Sequence, residues 1–324
     1  MSAAPVTAPA LSADSPPPER GRRRSSRTNR REAMAGYLFI SPWIIGFLVF
    51  TVISMSYSAF LSMTDYDLAT DTAPWVGTEN YAQLVDDPKV LQSLGNTFTF
   101  ALMSVPLETA FALLLALLLM SVPRGKGFFR VLYYLPKMTP AVATAAVFLL
   151  LLNGSRGAVN QFLGFFGIQG PQWLLDPDWI IPSIVLMSAW AVAGSMIIYM
   201  AALQAVPMDL YEAAALDGAG PVRRFWRITI PLISPTTFFL VVTNTISSLQ
   251  VFDQAYLLFY RDGSSSAPSA SLFYGIYLYQ QAFQQFNFGL AAAMAWVLFV
   301  IIMLITLVQV KVSSRLVHYQ GEVR

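Results

Sequence analysis

The chain has 324 residues, of which 56% are hydrophobic and only 12% are charged, and its formal net charge is +2. A mean hydropathy of +0.55 excludes an ordinary water-soluble domain, because about a quarter of the residues in such domains are charged. The absence of cysteine from the sequence excludes disulfides, thiol catalysis and thiolate metal sites. The composition therefore predicts an all-α integral membrane protein.

The N-terminal segment, residues 1–35, is rich in Ala, Ser, Pro and Arg and lacks the apolar core of a signal peptide. We predict a disordered, basic cytoplasmic tail. Its arginine cluster at residues 20–31 either determines membrane topology or also binds anionic lipid headgroups. No nucleic-acid partner is expected, since the cluster adjoins the first apolar stretch and contains no interleaved aromatic residue.

Six apolar stretches follow the tail, each long enough to approach or exceed the roughly 20 residues that cross a bilayer as a helix. Proline near or inside these stretches predicts kinked helices. The sequence thus predicts a six-span domain over residues 36–312 and a short cytoplasmic tail over residues 313–324. The six stretches lie at residues 37–62, 94–121, 131–152, 180–204, 229–252 and 287–311.

The basic residues predict the orientation of these spans. Seventeen of the 20 fall in the N-terminal tail, the 122–137 turn, the 205–230 loop and the C-terminus, which share one face of a six-span chain. The positive-inside rule makes that face cytoplasmic. We therefore expect both termini in the cytoplasm of a bacterial cell, with the chain spanning its inner membrane several times.

A polar, charged segment at residues 207–231 separates the fourth and fifth apolar stretches. Pro207 suits the first position of a helix, and Glu212 favours its positive N-terminal end. Gly218 is suited to ending that helix, after which Pro221 begins a second short one. The segment therefore predicts a pair of short helices between the fourth and fifth spans.

The same segment carries a spaced motif: Glu-Ala-Ala, three residues, Gly, nine residues, Ile, one residue, and then Ile-Pro. It resembles the EAA loop of permease subunits in binding-protein-dependent ABC importers. Other segments, such as residues 37–42, 75–81 and 288–293, resemble the carbohydrate branch of these permeases, in particular the first permease subunit of maltose and glycerol-3-phosphate type systems. The resemblance implies that this loop couples the permease to its ATPase, through Glu212, Ala213, Ala214, Asp217, Gly218, Ile228 and Pro231.

The resemblance implies a division of labour among several proteins. This chain is expected to be no enzyme and to bind no cofactor, since ATP and Mg²⁺ would be bound by a partner ATPase. The implied partners are a second permease subunit, an ATP-binding cassette ATPase dimer, an extracytoplasmic solute-binding protein and membrane lipid. The sequence agrees, because it lacks a G-x-x-x-x-G-K-[ST] phosphate loop and its only histidine, His318, lies in the C-terminal tail.

The fifth span offers candidates for solute contact. Asn244, Ser247 and Ser248 fall on one helix face and supply an amide and two hydroxyls, and aromatic rings bind the apolar faces of sugars. Hydrogen bonding between helices is the alternative role for these polar residues. Because no Arg or Lys is expected deep in the spans, a neutral sugar or polyol is favoured over an anion. The aromatic candidates are Trp190, Tyr199 and Phe252.

Glu108 is a carboxylic acid in the middle of the second span. Such a residue usually faces a cavity or a polar partner. It could hold two helices together, contact the solute or couple transport to protons. The last role keeps an alternative open, namely a proton- or sodium-coupled secondary transporter.

Overall fold

A computed structural model of the chain describes residues 26–316, apart from residues 67, 69 and 261–266. These residues form no β-strand, and the only β-type pairing among them is an isolated bridge between Thr64 and Trp75. The all-α prediction is confirmed. Most of the predicted basic tail, residues 1–25, and the C-terminal residues 317–324, which include His318, lie outside the described residues.

The α-helices of the described residues are numbered here in chain order, and π-helical turns interrupt or extend three of them at Leu48–Ile53, Phe225–Thr229 and Gln280–Gln284. The helices are α1 (Ser26–Phe47), α2 (Ser54–Leu61), α3 (Glu79–Asp86), α4 (Pro88–Ser121), α5 (Lys126–Met138), α6 (Ala141–Leu151), α7 (Ala158–Phe165), α8 (Pro177–Trp190), α9 (Ala193–Gln204), α10 (Met208–Leu216), α11 (Pro221–Arg224), α12 (Ile230–Leu249), α13 (Asp253–Phe259), α14 (Tyr274–Tyr279) and α15 (Phe288–Leu316).

Four helical segments of the described chain are long and apolar enough to cross a membrane. Two further candidates are bent pairs, in which α5 meets α6 at 96° and α8 meets α9 at 52°. The described residues thus contain four candidate spans, or six if each bent pair counts as one span. The four unbroken candidates are Glu32–Leu61, Pro88–Ser121, Pro221–Phe259 and Phe288–Ser313.

Helical structure extends beyond both ends of the predicted membrane domain. Residues 26–35, predicted as part of a disordered tail, begin α1, and α15 continues past residue 312 to Leu316. Residues 30–35 consist of Arg, Glu, Ala and Met, which have high helix propensity. A helix nucleated in the adjacent apolar stretch can therefore propagate into them at little cost.

The chain divides into two compact units, Met1–Tyr57 and Ser58–Arg324. In the described part of the first unit, α1 and a π-helical turn lead into α2, and Trp43 stacks on Phe47 with ring centroids 5.6 Å apart.

The second unit is organised around α4, which packs against α8, α9 and α12. One apolar cluster surrounds the first half of α4 and includes Phe100, Ile184 and Phe273. A second cluster surrounds its other half and includes Leu119 and Ile233. Because α4 belongs to both clusters, it fixes the relative positions of the helix breaks that lie between them.

The segment before α15 is tied to α4 by polar contacts. The Asn96 side-chain amide donates to the carbonyl oxygens of Ser269 and Leu272, both at 2.9 Å, and the Tyr274 backbone N–H donates to Thr97 Oγ1 at 3.0 Å. The bonds to the Leu272 carbonyl and from the Tyr274 N–H satisfy backbone groups at the start of α14, whereas the Ser269 carbonyl also accepts from the Leu272 N–H at 3.2 Å. The bonds from Asn96 and to Thr97 hold α14 against α4.

Candidate functional site

The central cavity has a volume of about 500 Å³ and lies where the two apolar clusters meet, since its lining includes Phe100 and Val251 of one cluster and Val192 of the other. Helices break at this level: α8 ends at Trp190 before α9, and α12 ends at Leu249 before α13. Unpaired backbone groups at membrane depth are tolerated where they line such a cavity.

The cavity wall is mainly polar. Uncharged hydroxyl and amide side chains come from α8, α9, α12, the break after α12 and the first turn of α13, and three charged residues join them. Groups of this kind bind solute hydroxyls without requiring a charged ligand. The uncharged polar residues are Ser188, Ser195, Asn244, Ser247, Ser248, Gln250 and Gln254, and the charged ones are Glu108, Lys137 and Asp253.

Five of the predicted solute-path residues line this cavity together. Asn244, Ser247 and Ser248 reach it from α12, Phe252 from the break that follows and Glu108 from α4. The spacing of Asn244, Ser247 and Ser248 along α12 places them on one face of that helix. The meeting of α4 with α12 follows instead from the tertiary packing.

Asn244 and Ser248 differ in hydrogen bonding. The Ser248 hydroxyl donates to the Asn244 carbonyl oxygen at 2.5 Å, so its proton is already engaged within the helix. The Asn244 side-chain nitrogen has no hydrogen-bond partner among the described residues, although the atom is buried. A buried donor without a partner is costly. Asn244 thus retains an unpaired donor, whereas the Ser248 hydroxyl does not.

Trp190 and Tyr199 do not line the central cavity. Trp190 lies in a separate, apolar pocket of about 450 Å³ with Phe111 and Tyr133, and its ring packs edge-on against Phe148 at 6.3 Å. Tyr199 is fully buried in the second apolar cluster. These locations suit helix packing in this conformation, and a solute contact by either residue stays a prediction.

Lys137 is the site residue that sequence reasoning missed. The charge pattern places Lys137 in the basic turn at residues 122–137, but the residue occupies the last turn of α5 and lines the central cavity. The 96° bend between α5 and α6 brings it there. Pro136 and Pro140, which flank it, are the only local signal of that bend. The cavity wall thus includes a basic side chain, although no Arg or Lys is expected deep in the spans.

The predicted coupling loop has a well-defined backbone. Gly218 has a φ of +76°, and the backbone N–H groups of Gly218 and Ala219 donate to Ala215 and Ala214 at 3.0 and 2.8 Å. This is a Schellman ending of α10, which favours glycine at the left-handed position. Glu212, Ala213 and Asp217 are exposed on α10, whereas Ala214, Ile228 and Pro231 are half-buried.

Two details of the loop differ from the sequence prediction. Pro207 precedes α10 with extended backbone, so the helix begins one residue later, at Met208. The second helix, α11, begins at Pro221 as predicted but is not separate, because it continues through a π-helical turn into α12. Since the Tyr211 hydroxyl lies 2.8 Å from Thr229 Oγ1, α10 is joined to this continuous helix by a hydrogen bond.

Long apolar helices with a polar cavity at their breaks are typical of membrane transport proteins. Comparison with known families identifies which type of transport protein this chain is. The sequence matches the family described as "Binding-protein-dependent transport system inner membrane component" over residues 108–318. The chain belongs to this family. It is therefore a permease of an ABC importer, as the EAA-like loop predicted.

Similar proteins support the assignment over almost the whole length. The chain is 42% identical to a probable ABC transporter permease, YesP of Bacillus subtilis, over 92% of this chain and 96% of that one. It is 32% identical to the trehalose/maltose permease MalF of Thermococcus litoralis, over 89% and 97%. A solved bacterial ABC transporter, involved in the import of the acidic polysaccharide alginate, contains a chain with a TM-score of 0.78 at 25% identity, over 90% and 99%.

These comparisons do not favour the secondary-transporter alternative. The matched family uses a binding protein, and its matched region includes both Glu108 and the predicted coupling loop. Glu108 is therefore interpreted below as a residue of an importer.

Proposed function

We propose that this chain forms half of the membrane pathway for a neutral sugar or polyol and transmits ATP hydrolysis by partner subunits to that pathway. The observation that carries the proposal is the central cavity, whose wall is rich in uncharged amides and hydroxyls. Sugars present many neutral donors and acceptors, and Phe252 supplies an aromatic ring beside them. The relative named for trehalose and maltose supports this substrate class.

The coupling surface is α10 with the start of α11. Its apolar side chains are exposed, with Met208 at 68%, Leu216 at 90% and Val222 at 70%, and Glu212 and Asp217 add carboxylates. A surface of exposed apolar groups beside charged ones suits docking of another protein. We assign it to the ATPase dimer, which would bind ATP and Mg²⁺, while this chain holds no cofactor.

The remaining partners and the topology complete the proposal. A second permease subunit supplies the other half of the pathway, and an extracytoplasmic binding protein delivers the solute. Each bent helix pair counts as one span, which gives six spans in a bacterial inner membrane. Both termini and the coupling surface then face the cytoplasm, as the distribution of Lys and Arg favours.

Reconstitution into liposomes tests this function. The complete importer should take up a solute only with binding protein outside and ATP inside, and should continue when the proton gradient is collapsed. The purified chain alone should transport nothing when a proton or sodium gradient is imposed. Gradient-driven uptake by the chain alone would overturn the proposal.

A further inference from the structure

The central cavity contains two side chains of opposite charge that come from different helices. Glu108 reaches it from the middle of α4 and Lys137 from the last turn of α5. Both side chains line the same cavity of about 500 Å³.

Glu108 lacks the usual local means of stabilising a negative charge. It lies in mid-helix, away from the free N–H groups of a helix N-terminus. Asp253, the other acidic residue of the wall, differs because it occupies the first turn of α13, where helix N–H groups favour a negative charge. An ionised Glu108 therefore depends on a nearby cation, and Lys137 is the cationic residue of the cavity wall.

We propose that Lys137 balances the charge of Glu108 and so determines the charge selectivity of the cavity. With both residues present, the charges of Glu108 and Lys137 cancel, and the cavity admits neutral polyhydroxylated solutes. Removing Lys137 makes it repel anionic solutes such as uronic acids, and removing Glu108 makes it attract them. The sugar class rests on the proposed function, whereas the charge balance itself does not.

The electrostatic potential of the cavity can be measured without knowing the solute, because the chain has no cysteine of its own. A reporter cysteine is introduced as Ser247→Cys, since Ser247 lines the cavity and is exposed. Membrane vesicles containing the complete importer are treated with an anionic sulfonatoethyl or a cationic trimethylammonioethyl methanethiosulfonate. The ratio of the two labelling rates, measured on this chain only, reports the sign of the local potential.

The variants are Lys137→Gln, Glu108→Gln and the two together. Lys137→Gln should shift the anion-to-cation ratio of labelling rates down by about threefold or more, and Glu108→Gln should shift it up by a similar factor. The double variant should return the ratio to that of the unaltered pair. Lys126→Gln, which removes the same charge from the other end of α5 outside the cavity wall, should leave it unchanged.

Two kinds of labelling result would contradict the proposal. Unchanged ratios in both single variants, or a double variant that fails to restore the ratio, would overturn the charge balance. A second reporter, Gln250→Cys, also lies on the wall and is exposed, and failure of both reporters to react would contradict an accessible cavity. If the unaltered importer showed no uptake that depends on the binding protein, the proposed function would be overturned. The labelling ratios would still be interpretable, so the two failures are distinguishable.

Discussion

The Tyr277 hydroxyl donates a hydrogen bond to the carboxylate of Asp87, a residue 190 positions earlier in the chain. Asp87 also caps α4 by accepting from the Lys89 N–H at 2.8 Å. The Tyr277 oxygen in turn accepts from the Gln281 amide at 2.8 Å, and Gln281 accepts from Asn287 at 3.0 Å. This polar chain connects the start of α4 to the segment that leads into α15.

Removing the Tyr277 hydroxyl should destabilise that connection. Tyr277→Phe leaves the Asp87 carboxylate and the Gln281 amide without a shared partner, at an expected cost of about 1–3 kcal/mol in the free energy of unfolding. Thermal unfolding of the detergent-purified importer measures the effect. Tyr133→Phe removes a hydroxyl from a side chain that is 39% exposed and should have little effect. Equal unfolding temperatures for the two variants would contradict a stabilising role.

The same contact predicts a response to alkaline pH. Burial, and then the neighbouring Asp87 carboxylate, raise the pKa of Tyr277 from its ordinary value of 10 to about 12. The folded state therefore holds the phenol proton more tightly than the unfolded state does. Its contribution to stability is complete below pH 10 and is lost as the pH rises from 10 through 12. Between pH 9 and pH 11, wild type should lose more stability than Tyr277→Phe; an identical loss would refute the prediction.

The sequence predicted the helical class and the ending of α10 at Gly218 because both depend on local rules. The hydropathy pattern predicts which stretches are long enough to cross a bilayer, and the glycine at position 218 indicates a left-handed backbone position. The break after Trp190 has no such signal, since the apolar residues Ala191, Val192 and Ala193 occupy it. Lys137 was misplaced for a related reason, because its position depends on a 96° bend. The contact between Tyr277 and Asp87 is equally non-local.

The ending of α10 should control coupling rather than folding. Gly218→Ala places a Cβ on a residue with a φ of +76°, which costs about 1–2 kcal/mol at this position, although no atom within 4 Å obstructs that Cβ. We expect a normal amount of protein in the membrane, weaker ATPase binding and reduced uptake. Gly220→Ala is the matched control, since Gly220 has a φ of −68° and equally open surroundings. Wild-type uptake by Gly218→Ala would contradict this role.

The proposed six-span topology can be tested by cysteine labelling from outside the cell. A cysteine at Pro221 should react with a membrane-impermeant thiol reagent only after the membrane is opened. Cysteines at Thr70 and Ile168 should react once any outer barrier is permeabilised. Ile168 is 53% exposed and is preferable to Gly170, where an added Cβ would lie 2.0 Å from Asn160 Oδ1. Labelling of position 221 from outside would exclude a cytoplasmic coupling surface.

Asn244 should contribute more to solute binding than its neighbours on α12. Its side-chain nitrogen is buried without a partner, whereas the Ser248 hydroxyl already donates to a backbone carbonyl. Asn244→Leu should leave a solute hydroxyl unpaired, at a cost of about 1–3 kcal/mol, and raise the solute concentration for half-maximal uptake; Ser248→Ala should raise it less. Thr243→Val is the matched control, because Thr243 donates to backbone carbonyls and does not line the cavity. Measurement of uptake against solute concentration, at saturating binding protein, distinguishes the three. If Asn244→Leu matched Thr243→Val at normal membrane levels, the central cavity would not bind the solute through this amide.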